Sequence, residues 1–178
     1  AFGGGSMLAA LLLPRFLSTH RDRPVILTGA ALLAVGTALG PLALSFALLA
    51  ILWLVIGFGY GLALTPAGRL LNRSAHPEDR PAIFAAQFAL SHACWLGSYP
   101  LAGWLLTRFG VAPALVVLAG VAALGLLAAR HLWPAHEAPE VEHTPDNLPP
   151  DHPHIQGQKR HSHPLVIDDR HPKWATHF

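Results

Sequence analysis

The side chains best suited to chemistry lie in one largely apolar stretch, residues 81–107. Small or polar side chains recur there at steps of four, three and four residues, which places them on one face of a helix. Aromatic rings and one imidazole form a second stripe beside that face. The first set is Gln87, Ser91, Cys94 and Ser98, and the second is Phe88, His92, Trp95 and Tyr99. Such a helix combines hydrogen-bonding groups with a side chain that can exchange a proton near neutral pH.

His92 is the ionisable residue of this stretch, and ionisable groups among apolar spans are functional candidates. One interpretation is a proton-coupling or substrate-contact group that faces a cavity. The other is a neutral imidazole hydrogen-bonded to a neighbouring helix. The polar face has two interpretations as well: it could line a substrate path, or its hydrogen bonds could hold helices together. The aromatic stripe could form the wall of a cavity or simply pack against a neighbouring helix. The candidate path residues are Tyr60, Gln87, Ser91, His92, Trp95 and Ser98.

Eight of the twelve histidines lie in residues 134–178. Imidazole suits Zn, Ni, Cu and Co, and a flexible segment can wrap several imidazoles around one ion. The alternative is a soluble, weakly buffering tail. Neither an HExxH motif nor a cysteine partner is present, so a catalytic zinc site is not expected, and no other cofactor is predicted. The candidate metal ligands are His152, His154, His161, His163 and His171.

Other chemistries have little support in the sequence. The glycine clusters at residues 3–5 and 57–61 lack the Lys and Ser/Thr of a phosphate loop, and they favour close helix packing or local unwinding. No nucleophile–base pair or carboxylate pair stands out, so an enzyme is not expected. The arginines mark the ends of apolar stretches and form no basic stripe, which argues against a nucleic-acid partner.

The elements that position these residues are long apolar stretches. Residues 24–68 contain no Asp, Glu, Lys, Arg or His, and this length allows two passes of roughly 20 residues each through a hydrocarbon core. Charged residues make up only 12% of the chain, too few to cover a soluble helical domain. We therefore predict an all-α membrane protein with about five transmembrane helices and a largely disordered C-terminal tail. The predicted spans are 1–17, 24–40, 42–65, 81–107 and 111–131, and the tail is 134–178.

The arginines predict the orientation of the chain. Seven of the eight arginines in residues 1–133 lie in the loops 15–24 and 67–80 or at the end of the last span, and Arg108 alone lies on the other side. Positively charged loops stay in the cytoplasm, so we expect these loops and the tail there, in a plasma or bacterial inner membrane. Pro66 is expected to end or kink the third helix.

Several of these features resemble the carboxyl-terminal half of a major facilitator superfamily transporter. Arg21-Asp22-Arg23, just before a helix, resembles the loop between the eighth and ninth helices of that family. The glycines at 57, 59 and 61, followed by Pro66, are similar to its tenth helix. Residues 97–103 and 108–110 are similar to the Gly-Pro-x-x-Gly-Gly pattern of its eleventh helix. The resemblance covers residues 1–133 and implies helices eight to twelve, with the ninth and twelfth at the periphery.

The resemblance implies a secondary transporter for a small solute, with proton coupling and efflux favoured. Its partners would be the lipid bilayer, a small-molecule or ion substrate, and a missing N-terminal half or another chain. Two alternatives remain. The His-rich tail could belong to a metal-handling permease or sensor, or the chain could be a non-transporting scaffold whose tail binds a partner through residues 165–169 and Trp174.

Overall fold

The computed structural model describes residues 1–17, 22–133, 140–143 and 161–164. Five helices follow one another, with a one-turn 3-10 helix between the second and third, and two short strands come last. The predicted all-α membrane class is confirmed. The helices are α1 (Phe2–Leu17), α2 (Asp22–Leu39), α3 (Phe46–Arg73), α4 (Arg80–Phe109) and α5 (Val111–Leu132), the 3-10 helix is Gly40–Leu42, and the strands are β1 (Glu140–His143) and β2 (His161–Pro164).

Three of the helices are long and apolar enough to cross a membrane, namely α3, α5 and α2 together with the 3-10 turn that follows it. Helix α1 is shorter, with 16 residues, while α4 is the longest, with 30 residues, and contains more polar side chains. Large apolar side chains remain exposed on the helix surfaces, for example Phe46 and Leu124. A bundle with apolar side chains on its outside is suited to lipid.

Helix α3 packs tightly between α1 and α2 because glycines line both contacts. Gly57 and Gly61 lie against α1, whereas Gly59 lies against α2. A Cβ atom on Gly57 would come within 2.0 Å of the Phe2 carbonyl oxygen, and one on Gly59 within 2.8 Å of Leu32 Cβ. The helix is continuous through all three glycines, so they serve close packing rather than local unwinding.

The neighbours of each helix follow from these contacts. Helix α2 runs antiparallel to α3 on one side and to α5 on the other, and α4 packs against α5. The described buried core is small and lies between α1 and α3, where Ala9, Leu13 and Leu62 form one cluster. On α4 the one buried side chain is Leu105, so this helix is attached to the bundle along a narrow strip.

The third helix begins later than the predicted span 42–65. Ser45 has an extended backbone, and its Oγ accepts a hydrogen bond of 3.2 Å from the Leu48 N–H. A serine in this position satisfies one of the free N–H groups of the first turn and fixes the helix start at Phe46. Residues 42–45 therefore belong to the turn between α2 and α3.

The same helix also extends beyond the predicted end. It continues through Pro66, which is fully buried, and stops only after Arg73. Ser74 closes it, because its N–H donates to the Leu70 carbonyl at 3.1 Å and its hydroxyl donates to the same oxygen at 2.8 Å. The predicted loop 67–80 was therefore wrong over its first half, and Arg69 lies on a helix.

Helices α4 and α5 are joined by a single residue. Gly110 has φ +81° and ψ −178°, a backbone region that essentially only glycine occupies. Its N–H donates to the Leu106 carbonyl at 3.1 Å and ends α4. The connection left between the predicted spans, residues 108–110, is thus shorter, since α4 itself runs to Phe109.

Two tail segments pair as an antiparallel ribbon, β1 with β2, which the sequence analysis did not foresee. The register places His143 opposite His161 and Val141 opposite His163. The candidate partner-binding residues of the tail, 165–169 and Trp174, lie outside the described residues.

Candidate functional site

Helix α4 presents its two predicted stripes in different surroundings. Gln87, Ser91 and Ser98 are half-buried, on the side of the helix that also holds the buried Leu105. The aromatic stripe is turned outward, since Phe88 is 62% exposed and Tyr99 is 67% exposed. Three of the four residues of the polar face therefore lie toward the bundle, while Cys94 is exposed. The aromatic face is open to lipid or to another helical surface.

The serines of the polar face bond to their own helix. The Ser91 hydroxyl donates to the Phe88 carbonyl at 2.8 Å, and the Ser98 hydroxyl donates to the Trp95 carbonyl at 3.4 Å. Serine commonly satisfies itself in this way inside apolar helices. Each hydroxyl oxygen keeps lone pairs that can accept a bond from a solute.

His92 lies in the middle of the aromatic stripe. Its ring centroid is 3.8 Å from that of Phe88 and 4.6 Å from that of Trp95, and Trp95 stacks on Tyr99 at 6.1 Å. Its Nδ1 lies 2.8 Å from the Phe88 carbonyl oxygen. A carbonyl only accepts, so Nδ1 must donate, and in the neutral ring Nε2 is left with the lone pair that can bind a proton.

Tyr60 belongs to a different cluster. Its ring lies 5.4 Å from that of Phe2, and Phe2 in turn meets Trp53 edge-on at 6.1 Å. These three rings join α1 to α3, two helices that the glycines already hold together. The structure thus divides the predicted path residues between an α1–α3 cluster and the stripes of α4.

The Arg21-Asp22-Arg23 segment supplies two separate connections, with Arg21 itself outside the described residues. The Asp22 side chain is completely buried. Its Oδ1 accepts from Arg69 Nε at 3.0 Å and from Nη2 of the same side chain, while Arg73 Nη1 lies 3.4 Å from Oδ2. This carboxylate ties the start of α2 to the end of α3.

Arg23 points the other way and binds the end of α5. Its Nε donates to the Trp133 carbonyl at 3.1 Å, and its Nη2 donates to the Arg130 carbonyl at 3.0 Å. The last carbonyls of a helix have no partner within the helix and have a partial negative charge, so an arginine stabilises them. The charged ends of α2, α3 and α5 therefore meet at one end of the bundle.

This segment is recognisable in the sequence as a motif, but its partners are distant along the chain. Asp22 and Arg69 are 47 residues apart, and Arg23 and Trp133 are 110 residues apart. One signal was available: Arg69 and Arg73 have the spacing of neighbours on a helix face. The presence of Pro66 just before them hid it.

The metal prediction stays a prediction. Within the described residues, no three His, Cys, Asp or Glu side chains come together in a way that could hold an ion. His152, His154 and His171 lie outside those residues. His161 and His163 are on β2.

Comparison with known proteins identifies the family. The sequence model of the Major Facilitator Superfamily matches residues 1–171, almost the whole chain. The chain belongs to this family. Its members are transporters that lie in lipid and move small molecules, so the resemblance noted for residues 1–133 is confirmed, and the chain is a major facilitator-type transporter of the membrane. No curated protein and no solved structure matches it significantly.

Proposed function

We propose that the chain takes part in proton-coupled transport of a small solute, with efflux as the favoured direction and His92 as the proton-binding residue. The observation that supports this proposal is the position of His92 at the middle of a 30-residue helix, with Nε2 as the proton-accepting atom. A charge gained there is offset locally. The Phe88 carbonyl accepts from Nδ1, and the faces of Phe88 and Trp95 attract a cation.

The substrate path in this proposal follows the polar face of α4. Gln87, Ser91 and Ser98 lie on the half-buried side of that helix, on the face next to the one that holds the His92 imidazole. Binding of a solute by these groups and binding of a proton by His92 would then affect the same helix. Alternating access between helical bundles can use such coupling to drive a solute against its gradient.

His92→Ala tests the coupling. The purified chain is placed in liposomes, and a panel of fluorescent organic solutes is screened for movement driven by an imposed pH gradient. We expect His92→Ala to lose gradient-driven flux at least tenfold and to keep solute exchange in the absence of a gradient. His131→Ala is the matched control, because His131 is exposed near the end of α5. Gradient-driven flux in His92→Ala equal to that of the unaltered chain would remove His92 from the mechanism.

We also propose that the aromatic face of α4 meets further helices, supplied by a longer polypeptide or by another chain. Exposure of Phe88, Trp95 and Tyr99 along one stripe supports this, because aromatic side chains contribute strongly to helical interfaces. An immunoblot against the tail, on membranes from the source cells, measures the native mass. A band near twice 19.0 kDa favours a longer polypeptide, and a band near 19.0 kDa favours assembly from separate chains.

The proposal includes the orientation of the chain in a bacterial inner or plasma membrane. The tail and the charged helix ends lie on the cytoplasmic side of that membrane. Clustering of the arginines of α2, α3 and α5 at one end of the bundle supports it. Cys94 is the only cysteine, so a Cys94→Ser background allows a single new thiol to be placed at Trp174. An impermeant maleimide should label it in inverted vesicles only; labelling in intact cells would reverse the orientation.

A metal-handling role for the tail is the second candidate function. The register of the ribbon supports it, since His143 and His161 are opposite each other although 17 residues separate them. His152 and His154 would supply further ligands. Calorimetric titration with Zn²⁺ tests this role on the full chain and on a chain that ends at residue 134. Equal Zn²⁺ affinity of both chains would show that the tail does not bind the metal.

A further inference from the structure

A groove with a volume of about 400 Å³ lies between α2 and α5, at the end of the bundle where the charged helix ends meet. It is polar at one end and apolar at the other. Arg23 and Arg130 line the polar end, and the remainder is mostly apolar, lined by Pro24, Leu27, Thr28, Ala31, Leu126 and Leu127. The Thr28 hydroxyl donates to the Pro24 carbonyl of its own helix at 2.7 Å. The groove is separate from the proposed substrate path on α4, and none of the predicted path residues lines it.

The polar end holds positive charge in a fixed position. Two donors of Arg23 are occupied by the Arg130 and Trp133 carbonyls, which orients the guanidinium and leaves its charge in place. Arg130 adds a second cation on the last turn of α5, and its side chain is exposed. The neighbouring carboxylate, Asp22, is buried and paired with Arg69 of α3, so it does not neutralise the charges of Arg23 and Arg130. The first turn of α2 adds partial positive charge, and the α5 carbonyls that oppose it are the ones Arg23 binds.

The apolar end runs toward the middle of the bundle. From Arg23 to Ala31 the groove follows two turns of α2, about 12 Å at the rise of an α-helix. The facing wall on α5 is formed by Leu126 and Leu127. A small soluble anion would contact only the arginines. A ligand with an anionic head and a hydrocarbon chain would contact both ends.

We propose that this groove binds an anionic phospholipid, with its phosphate at Arg23 and Arg130 and one acyl chain along the apolar walls. The charge lies where a spanning helix begins, which is the depth of lipid headgroups. Basic pockets between transmembrane helices on the cytoplasmic side are known to bind such headgroups. The inference is independent of solute transport and of the role of His92.

The first test compares two lipids on the purified full chain in neutral detergent. Native mass spectrometry measures the affinity for dioleoyl phosphatidylglycerol and for dioleoyl phosphatidylcholine, which have the same acyl chains. We expect phosphatidylglycerol to bind at least fivefold more tightly. Arg130→Gln should weaken it about fivefold, since a basic residue near an anionic headgroup contributes about 1 kcal/mol. Arg108→Gln is the matched control, because it removes an exposed arginine from the far end of α4. Equal affinity for the two lipids, or equal losses in the two variants, would refute the proposal.

The second test separates a lipid from a soluble anion. Ala31→Phe fills the apolar end and leaves both arginines in place, so it should lower phosphatidylglycerol binding at least as much as Arg130→Gln does. Inorganic phosphate at about 10 mM should not displace the lipid, because phosphate has no acyl chain to contact the apolar walls. Displacement by phosphate, or unchanged lipid binding in Ala31→Phe, would show an anion site that does not bind the lipid. Circular dichroism confirms that each variant keeps the helix content of the unaltered chain.

Discussion

The connection between Asp22 and the end of α3 makes an asymmetric prediction about stability. Asp22 is completely buried, whereas the side chains of Arg69 and Arg73 are 47% and 46% exposed. Removing the carboxylate leaves two arginines that water can reach, at a cost of about 1 kcal/mol. Removing both arginines leaves a buried, unpaired carboxylate, which costs about 3 kcal/mol even at the low end for buried pairs. The double variant Arg69→Gln/Arg73→Gln should therefore be less stable than Asp22→Asn.

Thermal unfolding of the purified chain in detergent measures the difference. Samples are heated, and the folded fraction that remains is quantified by size-exclusion chromatography. For a chain of this length, 1 kcal/mol corresponds to about 2–4 °C, so we expect losses of roughly 3 °C for Asp22→Asn and 6–12 °C for the double variant. Arg108→Gln is the control for loss of an exposed charge and should stay within about 2 °C of the unaltered chain.

The triple variant decides whether the buried charge is the cause. Adding Asp22→Asn to the double variant removes the unpaired carboxylate and should restore several degrees. Two results would refute the reasoning. One is a triple variant as unstable as the double variant, and the other is an Asp22→Asn variant that melts below the double variant.

Three further predictions concern how the helices are built and joined, and all use the same melting assay. Gly57→Ala should lower the free energy of unfolding by about 3 kcal/mol or more, because its Cβ would lie 2.0 Å from the Phe2 carbonyl oxygen. Gly68→Ala is the control and should be neutral or slightly stabilising, because Gly68 has open space around it. Equal effects of the two variants would contradict the close packing at Gly57. Ser45→Ala should lower stability by about 1 kcal/mol through loss of the α3 cap, and an unchanged melting temperature would exclude that role. Gly110→Ala should cost about 1–3 kcal/mol in backbone strain at φ +81°, and no cost would mean that the turn relaxes easily.

Much of the fold was predictable because its signals are local. Hydropathy and the absence of charge over residues 24–68 indicated membrane helices, and the steps between Gln87, Ser91 and Ser98 defined the polar face of α4. The glycines at 57–61 indicated close packing or local unwinding, and the structure shows packing, with α1 and α2 as the neighbours. Both kinds of signal depend on one helix at a time, so they require no knowledge of its partners.

The end of α3 was predicted too early because a local signal, Pro66, is overridden by contacts with other helices. Pro66 normally ends or kinks a helix because it lacks an N–H, and the sequence analysis placed the end of the span there. In the structure Pro66 is fully buried, and packing maintains the helix through to Arg73. Burial of that kind depends on neighbouring helices, which a single stretch of sequence does not reveal.

The class of protein and the chemical character of each helix follow from the sequence alone, because composition and periodicity fix which side chains share a face. Which charges meet depends on the tertiary structure. Asp22 reaches Arg69 across 47 residues because glycines at the α2–α3 contact bring those helices together in one register. Arg23 reaches the end of α5 because α5 runs antiparallel beside α2. The ion pair, the bonds of Arg23 to the end of α5 and the groove between α2 and α5 all follow from these helix registers, which depend on the packing of the whole bundle.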